Sequence, residues 1–89
     1  MVNLIFHSSF ERAYKRKVKP DTPRHKKLQR KIALFTQDPF NKTLKTHKLE
    51  GQLKDYWSFA VDYDLRIVFY FEDPNAAVFV DIGSHDEVY

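Results

Sequence analysis

The last third of the chain contains three stretches of alternating apolar and polar residues, and these constrain the fold more than any other feature. They cover residues 57–61, 65–71 and 78–82. With the first turn centred on Tyr63 and the second between Pro74 and Asn75, every facing pair is apolar on both sides. The expected pairs are Trp57 with Phe69, Phe59 with Ile67, Val61 with Leu65, Ile67 with Ile82, Phe69 with Val80, and Phe71 with Val78. A slip of one residue would put these sets on opposite faces, so the sequence predicts an antiparallel meander in this register.

The residues before position 39 predict one strand and two helices. Residues 2–7 alternate like a strand, and a first helix runs from about Ser9 to Lys19. Capping and proline signals set the helix boundaries. The first helix begins with the capping-box spacing of Ser8 and Glu11 and ends before Pro20, and the second begins at Thr22-Pro23 and ends at Asp38-Pro39. The link is so short that the helices should form an antiparallel hairpin, which we expect to cover the apolar face of the meander. The prediction is an α+β fold of order β-α-α-β-β-β, in one small domain over residues 1–89.

The composition excludes several classes of function. The chain has no cysteine, which rules out disulfide scaffolds, thiolate zinc sites and cysteine nucleophiles. Its four histidines lack the spacing of metal ligands, so we expect neither a metal nor another cofactor. No apolar run approaches the roughly 20 residues of a membrane span, and the opening apolar run is too short for a signal peptide. We therefore expect a cytoplasmic protein.

Charge is distributed very unevenly along the chain. Residues 1–54 carry 14 Lys or Arg against 4 Asp or Glu, whereas residues 55–89 carry 1 against 8. This imbalance predicts a polyanionic or acidic partner for the helices, although a solvated helix face is the plainer alternative. The candidate RNA-binding residues on the helices are Arg12, Lys15, Arg16, Lys26, Lys27 and Arg30.

Arg66 is the one basic residue of the acidic segment 55–89. The predicted register puts it on the solvent side of the central strand, between the small residues Ala60 and Gly83, where its guanidinium has room. Arginine offers a planar fork that matches phosphate oxygens. The alternative is an ordinary ion pair with a neighbouring carboxylate, Asp64 or Asp81.

Two residues near the carboxyl end suit chemistry on that phosphate. His85 lies just past the third strand of the meander, near the point where Asp64 begins the second, and Tyr89 follows four residues later. Histidine moves protons near neutral pH, and tyrosine stacks on bases. The alternatives are a turn histidine bonded to the backbone and a tyrosine that only covers the sheet.

Residues 39–54 show no clean period and form a long connection, which is typical of a functional or mobile segment. They contain His47 together with Lys45, Lys48 and Lys54. Combined with Arg66 and His85, these side chains suggest metal-free RNA cleavage. A base would take the proton of a 2′-hydroxyl, a cation would stabilise the charge on phosphorus, and an acid would protonate the departing 5′-oxygen.

The second half of the chain resembles the RelE/ParE superfamily of toxins, and most of all its RelE/YafQ-like mRNA interferase branch. The motifs that carry the resemblance are His47-Lys48-Leu49-Glu50-Gly51, Tyr56-Trp57-Ser58, Asp62-Tyr63-Asp64-Leu65-Arg66-Ile67-Val68-Phe69 and Asp81-Ile82-Gly83-Ser84-His85 through Tyr89. The resemblance implies the toxin of a type II toxin–antitoxin module, an endoribonuclease that cuts mRNA on the ribosome and is suppressed by a cognate antitoxin.

The same resemblance implies roles for single residues. Arg66 would bind the scissile phosphate, His85 and His47 would transfer protons, and Tyr89 would stack or aid proton transfer. Asp64 matches an acidic residue of the branch, while Lys45, Lys48 and Lys54 resemble loop lysines that bind RNA.

Two departures from the family pattern leave rival functions open. Some relatives carry a second arginine where Asp81 stands, and YafQ-like members carry a histidine where Ala60 stands. ParE-type relatives share the fold but bind DNA gyrase, and they usually lack the terminal histidine that His85 matches. The alternatives to a nuclease are therefore a non-enzymatic toxin aimed at gyrase or another protein, and a decayed toxin that only binds its antitoxin.

Overall fold

The computed structural model describes residues 1–84 and Val88. The elements in chain order are β1 (Asn3–Phe6), α1 (Ser8–Lys17), α2 (Pro23–Gln37), β2 (His47–Lys48), β3 (Trp57–Ala60), β4 (Arg66–Asp73) and β5 (Ala76–Gly83). Single 3₁₀ turns at Lys42–Leu44 and Gly51–Leu53 flank β2. The predicted α+β order is confirmed, with the short strand β2 added inside the connection that showed no period. None of the described helices is long and apolar enough to cross a membrane.

The strands form one mixed sheet in the order β1-β5-β4-β3-β2. β1 runs parallel to β5 at one edge, and β2 pairs with β3 at the other. The antiparallel meander of β3, β4 and β5 fills the centre, as predicted.

The register of the first hairpin is confirmed, and that of the second holds only near its open end. Phe59 pairs with Ile67, and Ile67 pairs with Ile82, as expected. The expected pairing of Phe69 with Val80 is wrong, because Phe69 pairs with Phe79. β5 bulges at Val80, between the pairs Val68–Asp81 and Phe69–Phe79. A bulge inserts one unpaired residue and turns the following side chains to the other face. The larger Phe79 thereby enters the core. For the same reason the expected pairing of Phe71 with Val78 is wrong, and Phe71 pairs with Ala77.

Both helices begin and end at identifiable caps. The Nδ1 atom of His7 accepts the backbone N–H of Ser9 at 3.1 Å, so His7 caps α1 and the expected capping box at Ser8 is wrong. α1 also ends two residues early, because Val18 turns into the core, where only 2% of it is exposed. The predicted start of α2 is confirmed, since Thr22 Oγ1 accepts the backbone N–H of His25 at 3.1 Å.

Two apolar clusters lie on opposite faces of the sheet. The main core, under the helices, is centred on Phe35, whose ring lies 4.7 Å from that of Phe59 and 4.8 Å from that of Phe69. The second cluster contains Leu49, Val68 and Val88. The segment around β2 therefore covers part of the face that was expected to be open to solvent.

Candidate functional site

Arg66 begins the central strand β4 at its open end, opposite Ala60 on one side and Gly83 on the other. Its side chain is half-buried, and its Nε atom is enclosed with no hydrogen-bond partner among the described residues. The alternative of an ion pair with Asp64 or Asp81 is not seen among the described residues, where the Asp81 carboxylate accepts the backbone N–H of Ile82 at 2.8 Å. A buried guanidinium nitrogen without a hydrogen-bond partner is unusual, which makes Arg66 a candidate for binding an anion.

A cleft of about 420 Å³ opens beside Arg66, and we call it the Arg66 cleft. Its lining includes Lys45 from the connection before β3 and Lys27 and Lys31 from α2. The two α2 lysines stand four residues apart on one side of the helix, and both are half-buried. Among the described lining residues, Asp62 is the only acidic one. The cleft therefore carries a strong excess of positive charge and suits an anion.

Of the predicted RNA-binding lysines, Lys27 and Lys45 line the cleft, whereas Lys31 was missed. The apolar residues Leu28 and Phe35 indicate which side of α2 faces the sheet, but they do not show which lysines beside them approach Arg66. The available signal was the four-residue spacing from Lys27, because residues at that spacing share a helix side.

The backbone of the connection holds Lys45 in a left-handed conformation, with a φ of 53°. Asn41 caps the preceding 3₁₀ turn, since its side-chain oxygen accepts the N–H of Thr43 at 3.0 Å. The carbonyl of Lys45 accepts a hydrogen bond from Nδ1 of His47 at 3.0 Å. The lysine and the histidine are thus positioned together by one short structured segment.

His47 lies on β2 opposite Ser58, on the same face of the sheet as Arg66. Two strand spacings and two residues of rise separate the two Cα atoms, roughly 12 Å in an ideal sheet. Because a carbonyl only accepts, the contact with Lys45 places the Nδ1 proton, and Nε2 is the nitrogen that accepts a proton on the neutral ring. Both side chains are long enough to approach one phosphate from two sides.

Asp64 does not reach the Arg66 cleft. It lines a separate cavity of about 200 Å³, together with Lys17, Arg24 and Ser84. Its backbone N–H donates to the Asp62 carboxylate at 2.9 Å, and that carboxylate lies 3.7 Å from Arg24. His85 and Tyr89 lie outside the described residues, so the structure does not test their predicted roles.

The remaining predicted RNA-binding residues are exposed and spread over several surfaces. Lys48 and Lys54 flank the second 3₁₀ turn, away from the described lining of the cleft. Those on the helices are Arg12, Lys15, Arg16, Lys26 and Arg30. Among the described residues, no group of His, Cys, Asp or Glu is arranged to hold a metal ion.

Comparison with known proteins places these features in context. The family model for the bacterial toxin of type II toxin–antitoxin systems, YafQ, matches residues 2–89. No curated protein sequence matches the chain. The structure of YafQ from E. coli strain BL21(DE3) has a TM-score of 0.80 at 18% identity, covering 100% of this chain and 99% of that one.

Two further solved structures are similar over the full length. A metal-bound toxin from Helicobacter pylori has a TM-score of 0.77 at 28% identity, covering 100% of both chains. The toxin in the E. coli DinJ–YafQ complex has a TM-score of 0.78 at 18% identity, covering 100% of this chain and 99% of that one.

Proposed function

Because the chain belongs to the YafQ family of type II toxin–antitoxin toxins, we propose that it is an endoribonuclease that cleaves mRNA on the ribosome without a metal ion. Its site of action is then the cytoplasm. The observation that carries the proposal is the enclosed, unpartnered Nε of Arg66 beside a cleft lined by three lysines. Such a site binds a phosphodiester through charge-assisted hydrogen bonds, which are stronger than neutral ones.

The reaction needs two proton transfers around one phosphorus atom. The 2′-oxygen attacks the phosphorus and loses its proton to a base, and the bond to the 5′-oxygen breaks as an acid protonates that oxygen. The products carry a 2′,3′-cyclic phosphate and a 5′-hydroxyl. Arg66 and Lys45 stabilise the negative charge that grows on the non-bridging oxygens.

His47 and His85 divide the two proton transfers in this proposal. His47 is suited to approach the phosphate from the β2 side, with Nε2 as the exchanging nitrogen. Tyr89 stacks on a nucleotide or aids the proton transfer. Asp64 lines the neighbouring cavity beside Ser84, so any contribution it makes to the reaction comes from there and not from contact with the phosphate held by Arg66.

The exposed helix residues Arg12, Lys15, Arg16, Lys26 and Arg30 supply the charge for ribosomal RNA. None of them belongs to the described lining of the cleft, so rRNA and mRNA would be held by separate groups. Contacts of this kind go to phosphates and depend steeply on salt. Lys48 and Lys54 extend the positive surface next to His47.

The second proposed partner is a cognate antitoxin, as in the E. coli DinJ–YafQ complex. The free edge of β1 and an apolar groove lined by Phe6, Phe10 and Tyr14 suit an amphipathic segment or an added strand. The exposed lysines of α1 suit an acidic segment of the antitoxin. Co-purification with the product of the adjacent gene tests this, and an absence of binding at micromolar concentration contradicts it.

Primer extension on cellular mRNA after brief induction tests the nuclease proposal. The wild-type protein should create new 5′ ends within coding sequences, whereas Arg66→Ala should not. Lys42→Ala is the matched control, because Lys42 is an exposed cation on the first 3₁₀ turn, outside the described lining of the cleft and outside the set of predicted RNA-binding residues. Intact mRNA together with a DNA-damage response would instead indicate a toxin that acts on gyrase.

A further inference from the structure

Tyr63 stands at the rim of the Arg66 cleft with 94% of its surface exposed. It occupies the turn between β3 and β4, three residues before Arg66. The ring is therefore almost fully accessible, and it offers a flat apolar face on which a ligand can stack. Four of the residues that share the cleft are cations and one, Asp62, is an acid, so the expected ligand carries negative charge.

The turn that carries Tyr63 is held by several hydrogen bonds. The N–H of Val61 donates to the carbonyl of Leu65 at 2.8 Å, and the N–H of Asp64 donates to the Asp62 carboxylate at 2.9 Å. Tyrosine has only two side-chain torsions, so an aromatic on a bonded turn loses little entropy when a ligand stacks on it.

The two acidic residues that flank Tyr63 do not cancel the positive charge of the cleft. The Asp62 carboxylate lies 3.7 Å from the Arg24 side chain and accepts the N–H of Asp64. Asp64 lines the neighbouring cavity with Arg24 and Lys17. Asp62 also lines the Arg66 cleft, but the four cations there outnumber it, and Arg24 offsets part of its charge.

We propose that Tyr63 stacks on a base of the RNA strand whose phosphate lies in the Arg66 cleft. This inference rests on the proposed function and names its substrate as single-stranded, because the face of a base is open to a side chain only outside a continuous helix. Alternating cationic and aromatic groups are the means by which proteins hold single strands without reading their sequence. Tyr63 is thus a substrate-positioning residue, distinct from the groups that transfer protons.

Fluorescence anisotropy with two short oligonucleotides tests the inference. Both are 2′-O-methyl RNA, which lacks the attacking hydroxyl and is not cut, and one of them is abasic at every position. Tyr63→Leu should weaken binding of the base-bearing strand about tenfold, within the range for stacking on one base, and leave the abasic strand unaffected. Tyr63→Trp should keep wild-type affinity for both strands.

Phe40→Leu is the matched control, because Phe40 is an exposed aromatic that packs on Trp57 and Phe71 and is absent from the described lining of the cleft. Phe40→Leu should leave the affinity for the base-bearing and for the abasic oligonucleotide unchanged. Equal effects of Tyr63→Leu on both strands, no effect on either, or a wild-type protein that binds neither strand would each overturn the inference. So would an unchanged RNA affinity with weaker antitoxin binding, which would make Tyr63 a protein contact.

The proposed function is tested separately by Arg66→Ala in the same assay. That variant should weaken the binding of both oligonucleotides, since it removes a phosphate contact. If Arg66→Ala binds both strands normally while Tyr63→Leu loses affinity only for the base-bearing strand, the proposed phosphate contact of Arg66 is wrong, whereas base stacking by Tyr63 stands.

Discussion

Replacing Arg66 with methionine should make the protein more stable and less active. The guanidinium Nε is enclosed without a partner among the described residues, where neither Asp64 nor Asp81 pairs with it. A buried polar group without a hydrogen bond lowers the free energy of unfolding, and an apolar side chain of similar length removes that cost. Such a trade of stability for function is expected at a binding site.

The size of the gain follows from how much of the side chain is enclosed. An unsatisfied buried group costs about 1–3 kcal/mol, and the low end applies because Arg66 is only half-buried. The free energy of unfolding of Arg66→Met should therefore rise by about 1 kcal/mol. For a domain of this size that corresponds to an increase in Tm of roughly 4–8 °C.

Urea unfolding followed by circular dichroism measures the change, and Arg24→Met is the control. Arg24 is exposed and lies 3.7 Å from Asp62, so its removal should alter stability by less than about 0.5 kcal/mol. If Arg66→Met instead lowers the free energy of unfolding by 1 kcal/mol or more, the guanidinium holds the fold together. Arg66 would then be a structural residue and not one kept for binding a phosphate.

Three further predictions concern the core, the cleft and the pH dependence. Phe35→Ala should cost about 3–5 kcal/mol in urea unfolding, because it empties the centre of the aromatic core; a loss below 1 kcal/mol would contradict the packing described. Lys31→Ala should reduce the salt dependence of RNA binding in a titration with potassium chloride, whereas the exposed Arg30→Ala should do so less; equal slopes would argue against the cleft. Burial raises the pKa of Tyr14, so its contribution to stability is complete below the ordinary value of 10.0 and is lost as the pH rises above it. Tyr14→Phe should lessen the fall in urea midpoint between pH 8 and pH 10.5, and an unchanged fall would show that Tyr14 is not responsible.

Periodicity predicted the faces of the sheet well, but it did not reveal the bulge. Val78, Phe79 and Val80 are all apolar, so the alternation was equally compatible with either face for that stretch. Side-chain size decided the outcome, because the ring of Phe79 fills space beside Phe35 at 5.5 Å between centroids. Packing of this kind depends on residues far apart in the chain, which no local pattern contains.

The position of Arg66 was predictable, whereas most of its surroundings were not. Its strand, face and small neighbours follow from the turn at Tyr63, and the structure bears them out. The lysines that share its cleft depend on the rotation of α2 and on the course of residues 39–54, both of which are set by tertiary contacts. Tyr63 itself looked like a turn centre, and only its exposure beside the cleft distinguishes it.

Mapping of mRNA 5′ ends in cells that express Arg66→Met is the sharpest test of whether Arg66 binds the cleaved phosphate, because this variant is expected to fold at least as well as the wild type. The wild type and Arg24→Met should generate the same new ends and arrest growth, while Arg66→Met should generate none at equal protein level. New ends from Arg66→Met at the wild-type rate would contradict the claim that its guanidinium holds the phosphate that is cut.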